Sequence, residues 1–243
     1  MHIIKLDATD STNSYLKNLI RQHSLVDFTS VMTDQQLNGK GQMGASWESE
    51  PGKNLTFSTL KKFDMLEVSD AFLLSICASL AVADVLKQFA IPDVHVKWPN
   101  DILSGRNKIC GILVENLLLG KRINTSIFGI GLNVNQTVFH TVSNATSMKL
   151  LLGTTFNLDD VHSLIVHELK KHLANMVAGK SSVLRIRYEQ QLFRKNRPST
   201  FKGPDGNSFV GIIRGVSEAG KLRIEQDNEA IREYGLKQVK LLY

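Results

Sequence analysis

The sequence predicts an α+β chain: a mixed or antiparallel sheet with helices packed on it, followed by a small C-terminal β-barrel. Three observations predict this. Ile109 to Leu119 and Ile123 to Val134 are apolar, strand-rich runs flanking Gly120-Lys121, which reads as a long hairpin. Two segments, from Ser69-Asp70 to Phe89 and from Asp159 to Met176, keep a helical spacing of apolar residues. After Pro198 the pattern changes to short alternating strands separated by turn residues. A chain of 243 residues is long enough for one sizeable core plus a small appendage. The expected division is residues 1–194 and 195–243.

Taken in order, Ile3 to Leu6 reads as a strand, and Asp10 or Ser11 caps a helix running to about Arg21. Val31-Met32-Thr33 is a short strand, and Leu55 to Leu60 another. The helix ending near Phe89 carries Phe72, Leu73, Ile76, Cys77, Leu80, Val82, Val85 and Leu86 around most of its circumference, so it is largely buried. Val94 to Lys97 is a strand. Asp159 is expected to cap the helix bearing Val161, Leu164, Ile165, Leu169 and Leu173, and a further helix covers about Val183 to Leu192. The last strands are punctuated by Pro204-Asp205-Gly206-Asn207, Glu218-Ala219-Gly220 and Gln226-Asp227-Asn228.

Lys97-Trp98-Pro99-Asn100-Asp101, followed by Lys108, is the segment richest in chemistry. Pro99 fixes its own φ and disfavours a helix at Trp98, so an extended run must end there in a turn. The turn sets an amide and a carboxylate side by side, and the following strand starts with Lys108 in an apolar run. An amide, a carboxylate and a lysine on one rim suit a polyanionic substrate, held directly or through a metal ion. Upstream, Gly39, Gly41 and Gly44 lie in Gln35-Gln36-Leu37-Asn38-Gly39-Lys40-Gly41-Gln42-Met43-Gly44-Ala45-Ser46-Trp47. The Gly-x-Gly-x-x-Gly spacing matches a dinucleotide fingerprint, but no apolar helix follows. Gly39-x4-Gly44 starts like a P-loop, yet Ala45 stands where its lysine must be. The segment reads instead as a glycine-hinged loop of the kind that closes over a ligand.

The net charge is +6, but the basic residues are dispersed. The densest run, Arg194-Lys195-Asn196-Arg197, has no interleaved aromatics, so nucleic-acid binding is not expected. The charge suits an anionic small molecule or an acidic protein partner. No signal peptide is legible at the N-terminus, and the stretch Ala71 to Val85 reads as too short to cross a bilayer. Cys77 and Cys110 give no disulfide or zinc framework, and the cytoplasm is the expected compartment. His162, His167 and His172 lie five residues apart on one helix, each turned about 140° from the last, so they do not share a metal-binding face. They are expected at solvent or at an edge.

Together with Ser11-Thr12-Asn13 and Gly129-Ile130-Gly131-Leu132-Asn133-Val134-Asn135, the two motifs resemble, in order, those of biotin–protein ligases. The likeness runs essentially end to end, and to the short form without an N-terminal DNA-binding domain. It implies a class II synthetase-like catalytic domain and an SH3-like C-terminal domain. It also implies a two-step reaction in which ATP and biotin give biotinyl-5′-AMP, and a lysine of a biotin carboxyl carrier protein then takes the biotinyl group. The resemblance assigns Lys108 and Lys40 as catalytic. It assigns Ser11, Thr12, Asn13, Gln35, Gly39, Lys40, Gly41, Lys108, Gly111 and Leu113 to biotin. Gln42, Trp47, Asn100, Asp101, Ile112 and Asn133 go to ATP or the adenylate, with magnesium held through Asp101. Lys40 stands where relatives usually carry arginine, and Gln42 and Ala45 also replace frequent arginines, which implies weaker retention of the intermediate. Lipoate– or octanoyl–protein ligation is the neighbouring alternative. A non-catalytic carrier-binding module is the alternative of another class, and the presence of both Lys108 and Asn133 speaks against it.

Overall fold

The computed structural model describes residues 2–140, 144–226 and 230–243. Its first 190 residues run β1 (Ile3–Thr9), α1 (Thr12–Gln22), β2 (Ser30–Gln36), β3 (Leu55–Glu67), α2 (Ala71–Gln88), β4 (Val94–Lys97), β5 (Asp101–Ser104), β6 (Asn107–Leu119), β7 (Arg122–Leu132), α3 (Met148–Leu152), α4 (Leu158–Val177) and α5 (Ser181–Gln190). The seven strands form one mixed sheet in the order β1-β2-β3-β7-β6-β5-β4. Only β1 and β2 pair in parallel within it. The long β6–β7 hairpin turns at Gly120, where φ is +60°, a conformation glycine adopts without a Cβ penalty.

Side-chain alternation divides the sheet into two faces with different work. Leu55, Phe57, Phe128, Ile130, Leu132 and Ile112 join the main core with α2 and α4. Their neighbours along the chain point the other way, where Val31, Leu60 and Ile127 meet Leu16 of α1 in a smaller cluster. α2 is the central element: Leu74, Ile76, Cys77, Leu80, Val82, Val85 and Leu86 are all fully buried. Counted as Val68–Gln88 it has 21 residues and is long and apolar enough to cross a membrane by length and composition. Shortness therefore does not exclude a span, contrary to the reading from sequence. Its burial on the sheet and under α4 and α5 is what marks it as a core helix.

Several local expectations are corrected. Asn157, not Asp159, caps α4, accepting hydrogen bonds from Asp159 N (2.8 Å) and Asp160 N (3.2 Å). Asp159 sits two residues later, in the first turn, and pairs with Lys5 at 2.6 Å. β5 and α3 were not foreseen, and β3 extends well beyond Leu60. Of the three histidines on α4 only His167 reaches solvent; His162 and His172 are fully buried. His162 packs edge-on against Phe57 at 4.6 Å, and burial pushes its pKa down to about 4, so the ring is neutral. His172 bonds Asp84 at 2.9 Å, and Arg187 of α5 holds the same carboxylate at 2.9 Å. Burial alone would raise the Asp84 pKa, but these two hydrogen bonds bring it below the usual carboxylate range.

The C-terminal strands are β8 (Pro198–Lys202), β9 (Ser208–Val216), β10 (Leu222–Glu225), β11 (Ile231–Tyr234) and β12 (Lys240–Leu242). They form an antiparallel sheet in the order β11-β10-β9-β8-β12. Among the described residues β11 and β12 do not pair, so the ladder is a five-stranded sheet rather than a closed barrel. The expected turn at Gln226-Asp227-Asn228 lies partly outside the described residues. Phe201, Ile213, Val216, Leu222, Ile224 and Tyr234 belong to the same apolar cluster as α2, so the second sheet shares the main core. The connecting residues close the edge of β4 through Val96 N to Gln191 O (2.8 Å) and Phe193 N to Val96 O (2.8 Å). The indole N–H of Trp98 donates to Gly220 O at 2.8 Å, tying the Trp-Pro turn to the second sheet.

Candidate functional site

On the α1 face of the large sheet the strands carry almost no side-chain bulk at one place. Register pairs Thr56 with Gly131, Gly131 with Gly111, and Gly111 with Asp101. The next row on that face pairs Ser58 with Gly129, and Gly129 with Leu113. In Gly129-Ile130-Gly131 the period of two puts both glycines on the cavity floor while Ile130 enters the core. The space they leave is used. A Cβ at Gly129 would lie 2.3 Å from Asn13 Oδ1, and one at Gly131 would lie 2.4 Å from the Trp47 indole.

The N-terminal turn of α1 supplies polar groups above this floor. Ser11 occupies the cap position, but its side chain makes no capping bond and lines the cavity instead. Gln36 Oε1 accepts from Thr12 N at 2.9 Å and lies 3.3 Å from Thr12 Oγ1. Ser58 Oγ stands 2.6 Å from Thr12 Oγ1 and 2.5 Å from Asn13 Oδ1, and Asn13 Nδ2 donates to Glu115 at 2.8 Å. Thr12 and Asn13 are thus buried and held by β2, β3 and β6 together. Gln36, not Gln35, lines the cavity, because adjacent residues of β2 point to opposite faces. Ser58, Gly129 and Gly131 were also not assigned from sequence. Polar Thr56 and Ser58 alternating with Leu55 and Phe57 was the available signal for Ser58.

The glycine segment is folded into a tight turn. Trp47 N donates to Gly39 O (2.9 Å), Gly41 N donates to Ala45 O (2.6 Å), and Lys40 and Ser46 form an antiparallel bridge between these bonds. Gly39 is the neck of the turn rather than a cavity residue: a Cβ there would lie 2.3 Å from Trp47 O. Lys40, Gly41, Gln42 and Ala45 face the cavity, with Lys40 Nζ donating to Ser14 Oγ at 3.0 Å. Trp47 lays its indole over Gly111 and Gly131, with Lys108 Nζ 5.6 Å from the ring centroid. Its indole N–H is buried against the floor without a hydrogen-bond partner.

Lys108 reaches across to Asp101, Nζ to Oδ1 at 2.6 Å, and Lys97 approaches the other carboxylate oxygen at 3.7 Å. Asn100 donates its side-chain amide to Ile112 O (2.8 Å) and accepts at its carbonyl from Ile112 N (3.0 Å), fastening the turn to β6. The buried Ile112 side chain belongs to the core, so Ile112 offers the site its backbone, while Leu113, one residue on, lies on the cavity face. Magnesium ions favour free carboxylate oxygens and phosphates. Asp101 is committed to two lysines and is the sole carboxylate among the described residues lining this cavity. Asp101 is here the anionic partner of Lys108 and Lys97, and the adjoining cavity carries the carboxylates of Glu48 and Glu50. Cys110 on β6 is buried, which pushes its thiol pKa well up and leaves it inert.

Two cavities meet here. The first, about 900 Å³, runs from the α1 turn along the glycine floor to Lys97 and Trp98, where Leu236, Lys237, Lys240 and Tyr243 of the C-terminal sheet complete its wall. The second, about 390 Å³, lies between Glu48–Glu50 and Val138–His140, with Asn133 and Gln136 at its base. Trp47, Ser46 and Lys108 line both. Asn133 is buried, donates to Thr146 O at 3.0 Å and lies in the second cavity, where Lys108 is the one biotin-assigned residue it shares. The backbone of Lys108 is clasped by Asn144 O (2.7 Å) and Thr146 N (2.9 Å), so the boundary lysine is fixed from both sides.

With this geometry in hand, the chain matches the Biotin/lipoate A/B protein ligase family over residues 6–133. It is 33% identical over 232 residues to the bifunctional ligase/repressor BirA of Bacillus spizizenii, covering 92% of this chain and 69% of that one. It is 26% identical to the biotin–[acetyl-CoA-carboxylase] ligase of Mycobacterium tuberculosis, covering 89% and 80%. In fold it resembles the biotin protein ligase of Aquifex aeolicus solved with biotin and ATP (TM-score 0.80, 24% identity, 99% and 98% coverage).

Proposed function

The chain belongs to the biotin/lipoate A/B protein ligase family and is a biotin ligase, and we propose that it joins biotin to a lysine of a biotin carboxyl carrier protein through biotinyl-5′-AMP. The observation that carries this reading is the shared boundary: one lysine and one indole stand between two cavities, one floored by glycines and ringed by polar groups, the other holding Asn133. Two substrates that must react with each other need such a meeting point.

In this reading biotin lies along Gly111, Gly129 and Gly131, with its ureido ring toward Thr12, Asn13, Gln36 and Ser58. Its carboxylate points to Lys108. ATP occupies the second cavity with its adenine edge at Asn133. A carboxylate oxygen attacks the α-phosphorus, the bond to the β-phosphate oxygen breaks, and pyrophosphate leaves. Lys108 stabilises the charge that builds on the α-phosphoryl oxygens, and Asp101 positions its ammonium. Lys40 adds a second cation from the turn. The carrier lysine, as a free amine, then attacks the mixed-anhydride carbonyl; AMP leaves and the nitrogen loses a proton. Residues 1–194 form the catalytic unit and 195–243 the C-terminal unit, and the enzyme works in the cytoplasm.

Pyrophosphate exchange into ATP with biotin, lipoate or octanoate as the acid tests this. Exchange is expected with biotin alone, because a plain acyl chain offers no hydrogen bond to the cavity-lining Ser11 hydroxyl and Gln36 amide N–H, which a ureido group can satisfy. Exchange with lipoate or octanoate and not biotin overturns the assignment.

A further inference from the structure

Gln136 stands where two loops part. It follows β7 by four residues, is 8% exposed, and uses both ends of its side-chain amide. Its Oε1 accepts from Glu50 N at 3.1 Å and from the side-chain amide of Asn54. Its Nε2 donates to Val138 O at 2.6 Å. Glu50 lies on one wall of the second cavity and Val138 on the opposite wall, so one side chain pins both walls at their base. Two further bonds run alongside: Asn54 Oδ1 accepts from Val134 N (3.0 Å), and Lys53 O accepts from Asn135 N (2.7 Å). The return of the glycine segment and the segment that carries Asn133 are therefore zipped together, with Gln136 as the outermost tooth.

We propose that Gln136 is a positioning residue for the nucleotide. It ties the exit of the glycine segment to the chain after β7 and so sets the separation of the second cavity's walls. Without it, Glu50 N and Val138 O lose their shared partner, and the walls part while Lys53, Asn54 and the strand pairing hold the rest of the site. The glycine floor and the α1 turn lie beyond this junction and should not feel the change. The effect is thus selective for one substrate. This inference rests on the assignment of ATP to the second cavity.

The test is pyrophosphate exchange measured against ATP and against biotin for the native chain, Gln136→Met and Gln136→Asn. Methionine keeps the length and loses every hydrogen bond. Asparagine keeps an uncharged amide but is one methylene too short to span Glu50 N and Val138 O together. The expected result for Gln136→Met, which loses three hydrogen bonds, is a rise of at least about tenfold in KM for ATP, with KM for biotin and kcat changed by less than about twofold. Gln136→Asn should show a rise of the same selectivity and no larger than that of Gln136→Met, and it carries the test alone if Gln136→Met does not fold. An unchanged KM for ATP, or equal changes in both KM values, overturns the proposal. A merely structural role would lower the melting temperature without splitting the two constants. If the native chain itself shows no biotin-dependent exchange, the assigned function has failed; a native chain that exchanges normally beside an unaffected Gln136→Met isolates the failure to Gln136.

Discussion

The two faces of the seven-stranded sheet are built from the same strands and follow opposite rules. On the α2–α4 face every position is filled: Phe57, Phe128 and Leu132 are fully buried, and Ile130 and Ile112 nearly so. On the α1 face, one residue along, the positions are Thr56, Ser58, Gly129, Gly131 and Gly111, and the space is occupied by Asn13 and Trp47 reaching in from elsewhere. One face gains its stability from close packing. The other gives up packing to admit side chains held by loops and, in the proposed reading, substrate. Consecutive residues of one strand should therefore fail in different ways when changed.

Lys108 gives the largest expected effect. It is the second residue of β6, and its side chain leaves the sheet for Asp101, so it adds little to the core. Lys108→Ala leaves Asp101 still beside Lys97, which spares the fold an unpaired carboxylate. Loss of one stabilising donor at a developing charge typically costs about 10²–10³ in rate, and a full cation should cost at least that. Biotin-dependent exchange and the melting curve, measured together, check it. Near-normal exchange in a folded Lys108→Ala protein would remove the lysine from the mechanism.

The pair Ile130 and Gly131 sets the two faces against each other directly. Ile130→Ala should lower stability by about 2–5 kcal/mol, the usual range for emptying a buried aliphatic site, while activity in the cold survives. Gly131→Ala adds one methyl where the indole of Trp47 lies 2.4 Å away, so the indole must leave the floor. Exchange should fall well below native with little change in the denaturation midpoint. Urea unfolding and exchange on both variants decide it. If Gly131→Ala keeps full activity, the position of Trp47 over the floor is irrelevant to function.

The same alternation explains what could be read from the residues beforehand. Strands, core helices and the ordered motifs were legible because they repeat at fixed periods or carry unusual residue types. The face that each residue presents was not. Gln35 and Gln36 are chemically identical neighbours, and only the register of β2 against β1 and β3 sends Gln36 into the cavity. β5 was hidden because Asp101-Ile102-Leu103-Ser104 is short and follows a proline turn, so the turn and the strand merged into one motif. Asn157 won the cap of α4 over Asp159 through local backbone geometry that composition does not show. That Asp101 meets both Lys97 and Lys108 follows from the pairing of β4, β5 and β6, which the residues alone do not show.

The smallest effect belongs to the packed face and is a matter of pH. His162 is buried against Phe57, and neither ring nitrogen has a hydrogen-bond partner. Desolvation lowers its pKa from 6.5 to about 4, with Asp159 opposing the shift and Lys5 aiding it. The unfolded chain takes up a proton near pH 6.5 that the folded chain refuses until about pH 4. Stability is therefore complete above pH 6.5 and declines as the pH falls toward 4, by on the order of 3 kcal/mol at the acid end. Asp84, whose pKa is held below the ordinary carboxylate range, adds a loss that comes in only at more acid pH. Unfolding free energies measured from pH 7 to pH 4.5 should thus slope downward for the native chain and run flatter for His162→Leu, which has nothing to protonate there. The cavity face contains no such histidine among the described residues lining the first cavity, so Gly131→Ala should keep the native slope. Parallel curves for the native chain and His162→Leu would show that His162 is not the group that sets the acid limit.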